Sequence, residues 1–146
     1  VAERLALDAL QLGVYQRLTD GTDGIGAQWT DNVARVYDEL PSAIEYPFVE
    51  IGSYTGERVE GESRTVKTHT VAIHFYSNGS GYRELNDLMN AAQESVTKST
   101  MTLGDNFQLV DAIIESFDAF KEFDEETEEI LRHGVLRIRC LVQDVS

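Results

Sequence analysis

Apolar residues near the start of the chain recur at helical intervals. Leu7, Leu10, Val14 and Leu18 follow 3–4 spacing on one face, which predicts a helix over residues 2–18. A thinner stripe of Leu5, Ala9 and Leu12 runs beside it. A helix this broadly apolar in a small domain is either deeply packed or covered on two sides, with another subunit as one candidate cover. Leu5, Ala9 and Leu12 are therefore candidate subunit-contact residues. The pattern then stops: residues 19–32, TDGTDGIGAQWTDN, are rich in glycine and aspartate and hold the only tryptophan, Trp29, which predicts a loop.

Beyond this loop the period changes to two. Short apolar segments predict a first strand at 34–38, a second at 47–54 and a third at 65–77. In the third, Val71, Ile73 and Phe75 share one face while Thr68, Thr70, His74 and Tyr76 share the other. Both prolines, Pro41 and Pro47, lie between the first two strands. Proline fixes φ and donates no hydrogen bond, so this reads as a stiff crossover ending at a strand start. The Tyr46–Pro47 bond is a candidate for either isomer. The segment TGERVEGESR (55–64) turns the chain between the second and third strands, and SNGSG (77–81) ends the third. Helical spacing then returns at Leu85, Leu88, Met89, Ala92 and Val96.

The chain closes on a hairpin with arms at 107–120 and 130–143, joined by the loop EFDEETEE (122–129). Its pattern proposes a register in which Val110 faces Val142, Ala112 faces Cys140 and Ile114 faces Ile138, with Glu115 opposite Arg137 and Ile113 opposite Arg139 on the other face. The order is α-β-β-β-α-β-β. This predicts an α+β fold, one domain over residues 1–146, with a largely antiparallel sheet of four to five strands and two helices packed on one face.

Composition changes this picture in one respect. Length and a 42% apolar content suit an ordinary core, and no run of 18 apolar residues exists. The opening VAERLALDAL lacks the pattern of a secretory signal. The single Cys140 makes no internal disulfide, in keeping with a reducing cytoplasm. The charge is unusual: 12 Lys and Arg against 26 Asp and Glu leave a net −14. Such a surface repels phosphate backbones and excludes a sequence-specific nucleic-acid reader. It serves solubility, or a wall past which DNA slides without sticking.

Candidate chemistry is sparse. His69 and His74 lie five positions apart, hence on opposite faces of a strand, unsuited to joint metal binding. His133, in LRHGVLR, reads as a turn or strand entry. GIGAQW starts like a dinucleotide fingerprint but lacks the third glycine and the preceding strand. No serine sits in a nucleophile elbow, and Cys140 falls on the apolar face of the last strand, where cysteine acts as a small hydrophobe. Glu122, Asp124, Glu125, Glu126, Glu128 and Glu129 put six carboxylates into eight positions. They read as a solvated tip, an electrostatic surface or a weak cation site, although the glycine and ligand order of a calcium loop are absent. These residues point to no enzyme, no cofactor and no metal.

Four segments in order, DALQLGVYQRL, RVYDELP leading to YPFVEIG, THTVAIHFYS before a helix, and RHGVLRIRCLVQ, resemble the tail completion (tail terminator) proteins of long-tailed bacteriophages and phage-derived gene transfer particles. The resemblance runs from about Asp8 to Gln143; the glycine-rich insertion at 20–32 and the acidic loop at 122–129 depart from it. It implies a structural virion protein at the head–tail junction, assembled in the host cytoplasm. Such a protein forms a hexameric ring that caps the tail tube protein and joins it to a head–tail connector or stopper. Genome DNA passes through the lumen without sequence-specific binding, and no membrane or cofactor takes part. On this reading the 55–64 loop is a candidate docking surface and the 122–129 carboxylates are candidate docking or lumen-facing surfaces. The alternatives are another neck component, such as a connector or minor tail protein, and, more remotely, a small ligand-binding α+β domain.

Overall fold

The computed structural model describes residues 5–20, 24–25, 36–58, 66–98 and 101–145. Among them are two helices, α1 (Leu7–Leu18) and α2 (Arg83–Lys98), and five strands: β1 (Val36–Tyr37), β2 (Phe48–Arg58), β3 (Val66–Ser77), β4 (Phe107–Asp124) and β5 (Glu129–Asp144). The strands form one sheet in the order β1-β2-β3-β5-β4. Only the short β1–β2 pair is parallel. The α+β class and the element order follow the reading of the sequence. Residues 2–4 of the expected first helix, the loop around Trp29, and residues 59–64 of the expected turn lie outside the described residues.

Alternation along the strands builds the core. Val71, Ile73 and Phe75 of β3 and Leu136, Ile138, Cys140 and Val142 of β5 point to one face and are almost fully buried. Both helices cover that face, supplying Leu10, Val14 and Leu18 from α1 and Leu85, Leu88, Ala92 and Val96 from α2. Two glycines allow close approach. A Cβ on Gly13 of α1 would stand 2.8 Å from Leu103 Cδ2, so the segment after α2 crosses α1 without a gap. A Cβ on Gly134 of β5 would collide with Met89 Sδ of α2. The helices are tied together by Arg17, whose Nε donates to the carbonyl of Ser95 at 2.7 Å.

The hairpin departs from the expected register at both ends. Its centre pairs Ala112 with Cys140, Ile113 with Arg139 and Ile114 with Ile138, as the pattern proposes. Irregularities between Leu109 and Asp111 and between Ile114 and Ser116 then insert one extra residue each. Leu109, not Val110, faces Val142, and Ser116, not Glu115, faces Arg137. A bulge turns every following side chain to the other face. Val110 is thereby left exposed, and Arg137 finds its carboxylate at Asp118, 3.2 Å away. The strands also run further than expected. Glu122 pairs with Leu131, Phe123 with Ile130 and Asp124 with Glu129, so the acidic loop shrinks to 125–128 and Glu122, Asp124 and Glu129 are strand residues. The last β3–β5 pair is Ser77 with Arg132, and beyond it the hairpin continues with no third strand beside β5 among the described residues.

Candidate assembly surfaces

The face of the sheet opposite the helices carries a line of rings. Pairing places Phe48 of β2 beside Tyr76 of β3, Tyr76 beside His133 of β5, and His133 beside Phe120 of β4. Phe48 and Tyr76 stack with centroids 4.7 Å apart, Tyr76 and His133 stack at 4.3 Å, and Phe120 meets His133 at 4.8 Å. Tyr46, next to the cis Tyr46–Pro47 bond, and Tyr37 of β1 close the line over Phe48 at 5.2 and 6.5 Å. The rings thus cross all five strands.

A polar chain runs through them. Glu122 Oε1 lies 2.7 Å from His133 Nδ1, and His133 Nε2 lies 2.9 Å from His74 Nδ1. The carboxylate can only accept, so His133 Nδ1 carries the proton. A neutral His133 then accepts at Nε2 from His74 Nδ1–H. Burial lowers the His74 pKa, the neighbouring His133 lowers it further, and Glu50 acts the other way. Burial, with the charges of Glu50 and Glu122, pushes the Tyr76 phenol up to about 12. His74 and His133 lie 59 positions apart and meet only through the β3–β5 register, which periodicity along one strand does not reveal. His69 sits on the helix side, buried, and Cys140 lies there too, its thiol pushed up to about 11 by burial and then by Asp111. Among the described residues no group of three or more His, Cys, Asp or Glu side chains could hold a metal ion.

Exposed apolar side chains lie toward each edge of the sheet. On the β1 side, Leu5 is 67% and Leu12 56% exposed, while Ala9 is half-buried against the core. Leu12, Tyr15 and Ile51 line a groove of about 370 Å³ together with Asp8, Gln11 and Asp38, with Gln11 Nε2 donating to Asp38. On the β4 side, the second bulge turns Phe117, Ala119, Lys121 and Phe123 to the helix face, beside Ile130 of β5. Phe117 is 72%, Phe123 63% and Ile130 54% exposed. Phe117 also borders a groove of about 520 Å³ against Met89, Asn90 and Gln93 of α2. This apolar strip is absent from the pattern alone, because an unbroken register would leave these residues on other faces.

At the hairpin tip Glu125, Glu126, Glu128 and Glu129 are exposed and Asp124 is half-buried. Asp124 organises the turn: its Oδ1 accepts from the Glu126 amide at 3.0 Å and its carbonyl from the Glu128 amide at 2.8 Å. Glu128 takes the left-handed conformation, φ 59°. Glu122 stands apart from the other five, since it is bound to a buried histidine. The tip carboxylates lie near Tyr46, whose phenol is raised by burial first and then by Asp124 and Glu129.

These surfaces suit contact with other molecules more than bond chemistry, and known proteins of the same build can be set beside them. Residues 13–143 match the family described as tail completion protein gp17. Among solved structures, a chain in the virion of a native gene transfer agent (GTA) particle has the same fold, with a TM-score of 0.73 at 19% identity, over 97% of this chain and 99% of that one. No curated protein matches the chain.

Proposed function

We propose, from the premise that this chain belongs to the tail completion protein gp17 family, that it is a structural component of a phage or gene-transfer-particle tail. It works as one domain, in a hexameric ring at the head–tail junction of the virion, with no catalytic step of its own. One side of the ring meets the tail tube protein and the other a connector or stopper. The genome passes through the middle.

The observation that carries this reading is the family match over nearly the whole chain, together with the likeness of fold to a chain of a GTA virion. The surfaces support it. A ring needs heterologous contacts, one patch meeting a different patch on the neighbour, and the exposed Leu5 and Leu12 beside Ala9 supply one such patch. A net charge of −14 per subunit suits a lumen that must not hold phosphate. The carboxylates at 124–129 project at the end of a hairpin, where they reach either the lumen or a docked partner.

Light scattering of the purified protein and electron imaging of particles carrying a labelled copy test the reading. Six-fold rings at the upper end of the tail are expected. A protein that stays monomeric and is absent from tails rules it out, and a label found elsewhere in the neck transfers the role to a connector.

A further inference from the structure

We infer that the apolar face of the outer hairpin, Phe117, Lys121, Phe123 and Ile130, seats in the groove at the α1 edge of a second copy of this chain. This rests on the ring reading and adds to it which surface of one subunit meets which surface of the next.

Position is the first argument. β1 and β4 are the two edges of the sheet, and the groove and the strip lie at these opposite edges. Two different patches facing away from each other is what head-to-tail assembly requires; a two-fold pair would need one self-complementary patch. Phe123 and Ile130 also lie beyond the last β3–β5 pair, so they project past the three-stranded part of the sheet and are free to reach a neighbour.

Charge is the second. Lys121 is the only basic residue in β4, and it shares a face with Phe117 and Phe123. The groove has the matching composition, lined by Leu12, Tyr15 and Ile51 together with the carboxylates of Asp8 and Asp38. Seating the two phenylalanines on these apolar side chains brings the Lys121 ammonium to the neighbouring carboxylates. The opposite face of the same strand carries Asp118, Glu122 and Asp124, which the groove's carboxylates repel. Only one face of the hairpin therefore fits. Exposed apolar strips of this kind on a chain that is otherwise strongly acidic mark contact sites, and the solvated tip at 125–128 keeps hairpins of two copies from adding edge to edge.

Three variants test this by light scattering and sedimentation: Phe123→Glu, Leu12→Glu and Lys121→Glu. The first two remove one patch each, and both residues are exposed, so thermal melts should match the parent. The parent is expected as a ring, and Phe123→Glu and Leu12→Glu each alone as a monomer. An equimolar mixture of Phe123→Glu and Leu12→Glu should give a one-to-one pair that grows no further, since only one intact hairpin meets one intact groove. Lys121→Glu should weaken assembly at least tenfold, and adding Asp8→Lys with Asp38→Lys should restore it. Rings from either of the first two variants, a mixture with no pairs, or a charge swap without rescue overturn the inference and leave the ring reading standing. A parent that stays monomeric overturns the inference, and one that is also absent from tails overturns the ring reading with it.

Discussion

His69 and His74 share one response to acid although they face opposite sides of the sheet. Burial holds the pKa of each below the ordinary value of 6.5. Around His74 stand His133 and Arg137, which lower it, and Glu50 and Glu122, which raise it; around His69 the charged neighbour is Lys67, which lowers it while a backbone hydrogen bond at Lys67 raises it. A folded-state pKa below the unfolded one means that the unfolded chain takes up protons first as pH falls. The stability linked to these rings is therefore whole above pH 6.5 and declines below it, by about 1.4 kcal/mol for each unit of lowering once both states are protonated. The acidic surface works in the opposite sense, because protonating carboxylates relieves repulsion, so the test must be a difference. Melting temperatures of the parent and of His69→Gln, measured from pH 7.5 to 5.0, should converge as the pH falls, with the parent losing more. Parallel curves would remove the histidine from the balance. At this scale the sequence was only partly readable. The face of each histidine follows from parity along β3, but the bond from His133 to His74 and Glu122 needs three strands in register, and no single-strand pattern contains that.

The helices and the hairpin show where pattern suffices and where it fails. In α2 the residues at 85, 88, 92 and 96 are buried as their spacing demands, and the element begins and ends close to where its apolar period does. Its seat on β5 depends on Gly134, where an added Cβ would meet Met89 Sδ, with Met89 Cε at 3.2 Å and Leu85 Cδ1 at 3.3 Å. Met89 is flexible and can yield, but Leu85 is fully buried and cannot. Gly134→Ala should therefore cost about 1–3 kcal/mol of overpacking. Urea unfolding should show a lower midpoint at unchanged slope, and an unchanged midpoint would mean that α2 sits less firmly than its contacts imply. In the hairpin the central pairs were legible because Ala112, Ile114, Ile138 and Cys140 alternate with polar or exposed partners. The bulges were not. Leu109–Val110 is an apolar doublet, either member of which satisfies the same face, and the second bulge falls at Glu115–Ser116, a polar pair in which no apolar residue marks the one that is extra. The second of these shifts decides the fate of the outer hairpin, placing Phe117 and Phe123 on the side where the proposed neighbour docks.

For the whole molecule the governing quantity is charge. A chain at −14 gains nothing from electrostatics when it meets copies of itself, so a ring of such subunits must be held by apolar contact and a few local pairs. What the charge does suit, on the proposed reading, is the passage of DNA. Phosphate held by a basic wall releases counterions at every contact, and many weak contacts add to a strong trap. A wall of carboxylates leaves the counterions where they are and lets the duplex slide. The tip tests this idea because Glu125, Glu126 and Glu128 are exposed and lie outside the ladder of paired residues. Changing all three to lysine raises the charge of each subunit by six while leaving β4, β5 and the Asp124 turn contacts to backbone amides intact. If these carboxylates line the lumen, particles carrying the triple variant assemble normally and release DNA more slowly at low salt. The delay shrinks as salt rises from about 50 to 500 mM, because the Debye length falls below 10 Å and the added counterions compete for phosphate. Dye-reported release from purified particles measures both effects. Release at the parental rate from fully assembled particles assigns the tip to a docked protein instead, and a failure of tails to join heads identifies that protein's side of the ring.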